Sequence, residues 1–159
     1  MATIVVEDGT GLTNSNSYLS EADLSTYATD RGVTLSGTPA VLLIQGMDWI
    51  EAHNFQGYKY TDTQALQWPR GSVYIDGYSI SETYIPLLLS DALAEICISI
   101  DGGFNPLSNV PRETTKEKVG DIDVEYKEGG YATEQPTAAE NKLTKLLDNQ
   151  GFGAVVRRG

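Results

Sequence analysis

The sequence predicts a mainly α protein: a small helical bundle with a short β-strand or hairpin element, long loops and an extended C-terminal tail. Three observations carry this. Four segments repeat apolar residues at helical spacing between recognisable start and stop signals. The connections between them are polar and hold many of the chain's 16 glycines. Strand-like alternation is confined to two short stretches, near residues 73–80 and 122–126. At about 100–200 residues per domain, 159 residues make one domain. We draw it as residues 1–150, with an N-terminal arm over 1–19, followed by a tail over 151–159. A chain of this length buries roughly two-thirds of its unfolded surface, enough to hold a core without a disulfide or a metal.

The first helix is predicted to start after Ser20, an N-cap, with Glu21 and Asp23 complementing the helix dipole. Arg31-Gly32 ends it. Thr38-Pro39 opens the second helix, whose stripe is Leu43, Met47 and Ile50, widened by Ala40 and Ile44. Gly46 within it costs about 1 kcal/mol against Ala, which argues for a close helix crossing there. Residues 55–80 have no helical period. Tyr58-Lys59-Tyr60 alternates, Trp68-Pro69-Arg70-Gly71 is a turn signal, and Val73 to Ile80 reads as a hairpin around Asp76-Gly77.

A third helix runs from Pro86 to about Ile100. One face holds Leu89, Ala92, Leu93, Ile96, Cys97 and Ile100, while Leu87 and Ile98 make the opposite side patchily apolar. A helix apolar on two sides has two neighbours. We therefore read it as the central helix, with Leu87 and Ile98 at a subunit contact. Asp101-Gly102-Gly103 stops it. Ile122, Val124 and Tyr126 then alternate with Asp121, Asp123, Glu125 and Lys127 as a half-wet strand, and Glu128-Gly129-Gly130 turns the chain. Thr137 and Glu140 form a capping box for the last helix, with a stripe of Ala139, Leu143, Leu146 and Leu147. Gly151 and Gly153 end it.

Twenty-two acids against eleven bases give a net charge of −11. Residues 1–110 hold 13 of the acids and only 3 of the bases, whereas the C-terminal end is weakly basic. Affinity for nucleic acid comes mainly from Lys and Arg neutralising phosphates, so general attraction to DNA is not expected. No apolar run approaches the roughly 20 residues of a membrane span, and the opening Ile4-Val5-Val6 meets Glu7-Asp8-Gly9 at once, unlike a signal peptide. No membrane partner and a reducing cytoplasm are expected. The single Cys97 excludes an internal disulfide.

No catalytic constellation emerges. The lone His53 falls near the end of the second helix, where it suits the C-terminal carbonyls better than general-base chemistry, because no Ser or Cys nucleophile has a motif around it. Cys97 lies in an apolar stripe and behaves as a small hydrophobe. Asp8-Gly9-Thr10-Gly11 lacks the Lys of a phosphate loop and reads as a tight turn ordering the arm. Asp121, Asp123 and Glu125 could hold a divalent cation, but alternation on any half-wet strand produces the same pattern. The nine tyrosines could stack bases. Without a basic groove beside them, a protein interface is the better expectation. We expect no enzyme, no cofactor and no metal.

Several strings in order resemble one family. They are Val6-Glu7-Asp8-Gly9-Thr10-Gly11 with Asn16-Ser17-Tyr18; Glu21-Ala22-Asp23 with Tyr27 and Arg31-Gly32; Gln64-Ala65-Leu66 with Trp68-Pro69-Arg70; Ile85-Pro86 with Ala92 and Ala94-Glu95; and Lys116-Glu117-Lys118-Val119-Gly120 with Ile122 and Val124-Glu125-Tyr126. Their succession resembles the tailed-phage head–tail connector (adaptor, or head-completion) proteins, often labelled DnaT-like single-stranded-DNA-binding proteins. The resemblance implies a homo-oligomeric ring, commonly of about twelve copies closed by a head-to-tail interface. It implies docking on a portal protein, engagement of a tail or stopper protein, and passage of double-stranded DNA through the bore without specific binding. Its place would be the virion head–tail junction.

The tail Ala154-Val155-Val156-Arg157-Arg158 is apolar and β-prone, then basic. We read it as a portal-docking segment that adds a strand to a partner's sheet edge. The alternative function is a single-stranded-DNA-binding replication or packaging accessory. A third reading is a metal-dependent hydrolase using Asp121 and Asp123.

Overall fold

The computed structural model describes residues 2–107, the strand segments 116–119 and 122–125, and residues 135–148. Among these residues lie four helices and three two-stranded antiparallel sheets. The fold is therefore mixed α and β rather than the mainly helical bundle expected. The difference arises where the sequence has least period. Residues 58–79 form two strand pairs instead of one hairpin, and residues 116–125 form a third instead of a lone strand. The expected C-terminal tail lies outside the described residues.

Helix α1 (Glu21–Asp30) follows from its caps. The Ser20 hydroxyl accepts from the Asp23 amide at 3.1 Å, and Gly32 takes φ +72° just past the last turn. Helix α2 (Pro39–Glu51) starts with Pro39 in its first turn, as read. Thr38 occupies the N-cap without a side-chain hydrogen bond. The buried stripe is Ala40, Leu42, Leu43, Gly46, Met47 and Ile50. Leu42 thus takes the core position assigned to Ile44, which is half-buried.

Four residues further into the chain than the hairpins, helix α3 (Leu87–Asp101) packs against α1, α2 and α4 (Thr137–Leu143). A Cβ on Gly46 would stand 2.9 Å from both Cys97 Sγ and Leu93 Cδ1, so the crossing of α2 and α3 is close because that residue has no side chain. The Cys97 thiol donates to the Leu42 carbonyl at 3.2 Å. At the far end of α3, the Asp101 carboxylate accepts from the amides of Ser36 and Gly37 at 2.9 and 2.7 Å. The end of α3 therefore lies beside the entry to α2, and the two run antiparallel. Fully burying a Leu or Ile side chain contributes roughly 1.5–3 kcal/mol, and this seam buries Leu43, Ile50, Leu89, Leu93 and Ile96.

The second apolar side of α3 has its neighbours inside the chain. Glu95 accepts from the Tyr27 hydroxyl of α1 at 2.7 Å, and Asp91 pairs with Lys142 of α4 at 3.5 Å. Ile98 is half-buried, whereas Leu87, in the first turn, is 67% exposed. Helix α4 departs from its expected cap. Pro136 is the N-cap, and Thr137 is already helical and donates to the Gln135 carbonyl, so the capping box does not form. Ala139, Leu143 and Leu146 are buried as expected, and Leu147 is half-buried in a bridge to Phe55.

Strands β1 (Tyr58–Lys59) and β2 (Arg70–Gly71) pair with Tyr58 opposite Gly71. Strands β3 (Tyr74–Ile75) and β4 (Tyr78–Ser79) form the hairpin read from Asp76-Gly77. Both turn residues take positive φ, +52° and +86°, as a two-residue hairpin turn of type I′ requires. Strands β5 (Lys116–Val119) and β6 (Ile122–Glu125) pair with Val119 opposite Ile122. Fully buried Trp68, edge-on to Phe55 at 5.8 Å between ring centroids, ties the first hairpins to the helices.

Candidate functional site

The strings that carry the resemblance form the buried polar framework. Five polar or charged side chains are buried among the described residues: Glu7, Ser15, Ser17, Gln64 and Arg70. All but Ser15 come from those strings. The Glu7 carboxylate accepts from the amides of Gly9, Gly11 and Leu12 at 2.9–3.0 Å and from the Ser15 hydroxyl at 2.8 Å. Asp8-Gly9-Thr10-Gly11 is thus a loop wrapped around an internal carboxylate, which leaves no opening for a phosphate. Asn16 ties down the arm, accepting from the Val5 amide and donating to the Thr3 carbonyl.

Arg70 does for residues 55–57 what Glu7 does for the arm. Its guanidinium donates to the carbonyls of Phe55, Gln56, Gly57 and Gln67 and to the Gln67 side chain. Burial lowers its pKa, while Tyr18 and Glu51 nearby pull it back up. Gln64 donates to the carbonyls of Leu66 and Pro69 and accepts from the Thr61 amide. The Trp68 amide donates to the Tyr18 hydroxyl, which donates to Glu51, whose other oxygen accepts from the Gln67 amide. Sequence reasoning missed these roles. A visible signal was Arg70 itself, a lone base between proline and glycine in a base-poor region.

The surface differs in kind. Tyr58, Tyr60, Tyr74, Tyr78 and Tyr84 are all exposed, and all fall within the hairpin region from 58 to 84. Tyr58 lies over Gly71, where a Cβ would meet its ring at 2.8 Å, and its hydroxyl donates to Glu82 at 3.2 Å. Tyr78, 78% exposed, projects beside the Asp76-Gly77 turn. Gln56 joins this hairpin to the residues after α4, because it accepts from the Tyr74 amide, donates to the Lys145 carbonyl and bonds the Leu146 carbonyl through its own amide. Asp76 completes the link, pairing with Lys145 at 2.8 Å with both side chains more than half exposed.

Charge around these rings is sparse and negative. Residues 2–107 and 135–148 contain five Lys and Arg against fifteen Asp and Glu. Arg70 is buried, Arg31 lies over the Tyr27 ring at 3.3 Å beside Glu95, Lys142 pairs with Asp91 and Lys145 with Asp76. The exposed hairpin region thus offers aromatic faces without a basic groove.

The remaining candidates occupy ordinary positions. His53 Nδ1 bonds the Trp49 carbonyl at 2.9 Å and its ring meets Trp49 edge-on, the helix-end role expected of it. Cys97 is buried, and burial pushes its thiol up to about 12, away from thiolate chemistry. No group of three His, Cys, Asp or Glu among the described residues could hold a metal, and no described helix is long and apolar enough to cross a membrane. Asp121 and Ala154, Val155, Val156, Arg157 and Arg158 lie outside the described residues, as do the side chains of Asp123 and Glu125.

A family model described as "Putative DnaT-like ssDNA binding protein" matches residues 2–159. No curated protein and no solved structure matches the chain.

Proposed function

The chain belongs to the DnaT-like ssDNA-binding protein family, and on that premise we infer that it binds single-stranded DNA without catalysing a reaction, using the tyrosines of its hairpins. The observation that carries this reading is the set of five exposed tyrosines between residues 58 and 84. Every base has a π face, so aromatic side chains hold single strands with little regard to sequence, at about 1–3 kcal/mol per stacked base. Duplex bases are already stacked and offer such rings nothing. With fifteen acids against five bases on the described part, stacking carries most of the affinity and phosphate contacts little. The remaining six bases fall at residues 112–127 and 157–158. Fluorescence anisotropy of a labelled oligothymidylate tests this: saturable binding that Tyr74→Ala with Tyr78→Ala weakens supports it, and binding unchanged by that pair contradicts the assignment to the hairpin.

Two observations favour a second reading. Leu87 is 67% exposed at the start of the central helix, and the net charge is −11. Both suit a structural subunit of a head–tail connector ring, as the sequence resemblance implies, with an apolar contact to the next copy. Acidic walls would repel passing double-stranded DNA and prevent it from adhering. In this reading the partners are further copies of the chain, a portal protein and a tail or stopper protein, at the head–tail junction of a virion. An averaged virion map decides it, with density for the chain between head and tail supporting the connector and its absence from virions excluding it.

A further inference from the structure

Resting on the single-strand reading above, we propose that Lys145 is the phosphate contact of the tyrosine hairpin and that Asp76 is its resident counter-ion, which a bound strand displaces. Three observations meet at this point. Asp76 sits in the turn between Tyr74 and Tyr78, the two most exposed tyrosines after which the chain has no charged partner in the same hairpin but Asp76 itself. Lys145 Nζ lies 2.8 Å from its carboxylate, and both side chains are more than half exposed, so a strand laid on the rings can reach the ammonium. The backbone of Lys145 is held to the hairpin independently of that pair, because its carbonyl accepts from Gln56 Nε2 while Gln56 Oε1 accepts from the Tyr74 amide. The lysine therefore stays beside the rings when the ion pair opens.

The chemistry is an exchange of acceptors. A carboxylate and a phosphate oxygen both accept from an ammonium, and an exposed ion pair of this kind is held by only about 0.2–1 kcal/mol. A phosphate positioned by stacked bases can replace it, with Asp76 released to water. In the free protein the pair keeps the hairpin neutral and so suppresses attraction to polyanions that cannot stack.

Asp76→Asn separates this from a general charge effect. Asn-Gly is a favoured pair for the type I′ turn, and Asn tolerates the positive φ of position 76, so the hairpin is retained. We expect the variant to bind labelled oligothymidylate about two- to fivefold more tightly at low salt. The slope of log affinity on log salt should steepen by about 0.7, the value for one added phosphate contact on a single strand. In a Lys145→Gln background, Asp76→Asn should give neither change. Equal gains with and without Lys145 would show uniform charge removal and overturn the assignment while leaving single-strand binding intact. Binding by no variant would instead remove the single-strand reading, and this inference with it.

Discussion

Glu7 and Ser15, eight residues apart, are joined by a 2.8 Å hydrogen bond inside the protein, where the same carboxylate also gathers three backbone amides. Such a group holds its loop by satisfying donors that burial would otherwise leave unpaired. The arm, the α2 end and the Trp68 segment each have an anchor of this type, in Glu7, Glu51 and Arg70. The fold around the hairpins is therefore set by a few buried polar side chains as well as by the apolar seam.

Replacing Glu7 by Ala leaves three amides and a hydroxyl without acceptors. We expect a loss of about 3 kcal/mol in urea unfolding. A loss below about 0.5 kcal/mol, the range of ordinary surface substitutions, would show that the loop reorganises around the gap.

Gly46→Ala should destabilise the protein although alanine is the better helix former by about 1 kcal/mol. Its Cβ would meet Leu93, Ile96 and Cys97 at 2.9–3.2 Å, in a seam with no room to give, and overpacking costs about 1–3 kcal/mol. Adding Cys97→Ala removes one of the three clashes and should recover part of the loss. Thermal melts of the single and double variants check the order.

Glu51 makes a pH prediction. Burial raises its pKa above the usual 4.5, and the hydrogen bonds from Tyr18 and Gln67 together with nearby Lys59 and Arg70 pull it back only in part. The native state thus keeps the proton to higher pH than the unfolded chain does. Its contribution is fully present below the unfolded value and is lost as pH rises through the folded one. Between pH 4 and 7 the wild type should lose more stability than Glu51→Gln. A steeper loss in the variant would mean that the carboxylate is favoured in the fold.

Much of the helical architecture was legible because it depends on local rules. Ser20 and Gly32 bound α1, Gly46 marks the crossing, and Asp76-Gly77 makes its hairpin, each through one residue's conformational or steric character. The mixed α/β class was not legible, since the pairing of Tyr58 with Gly71 joins strands too short to alternate. Thr137 and Glu140 had the spacing of a capping box, yet Pro136 takes the cap and puts Thr137 inside the helix. Long-range polar contacts were equally hidden: nothing in the local string shows Arg70 reaching back to the carbonyls of residues 55–57. For the site, counting tyrosines gave the residue type, but only the fold separates five exposed rings from buried Tyr18 and half-buried Tyr27.

Leu87→Asp should leave stability within about 0.5 kcal/mol, because the side chain already faces water. Ile98→Asp should cost more, since half of that side chain is covered. If sedimentation shows the wild type self-associating, Leu87→Asp should weaken it, and association unaffected by this charge would place the contact elsewhere.

The most direct test of the central claim is a competition between single and double strands of one sequence for the full-length protein at rising salt. Stacking on exposed tyrosines predicts that the single strand wins by at least tenfold and that its affinity falls only gently with salt. Equal affinity for the duplex, or no saturable binding of the single strand at low salt, would contradict it.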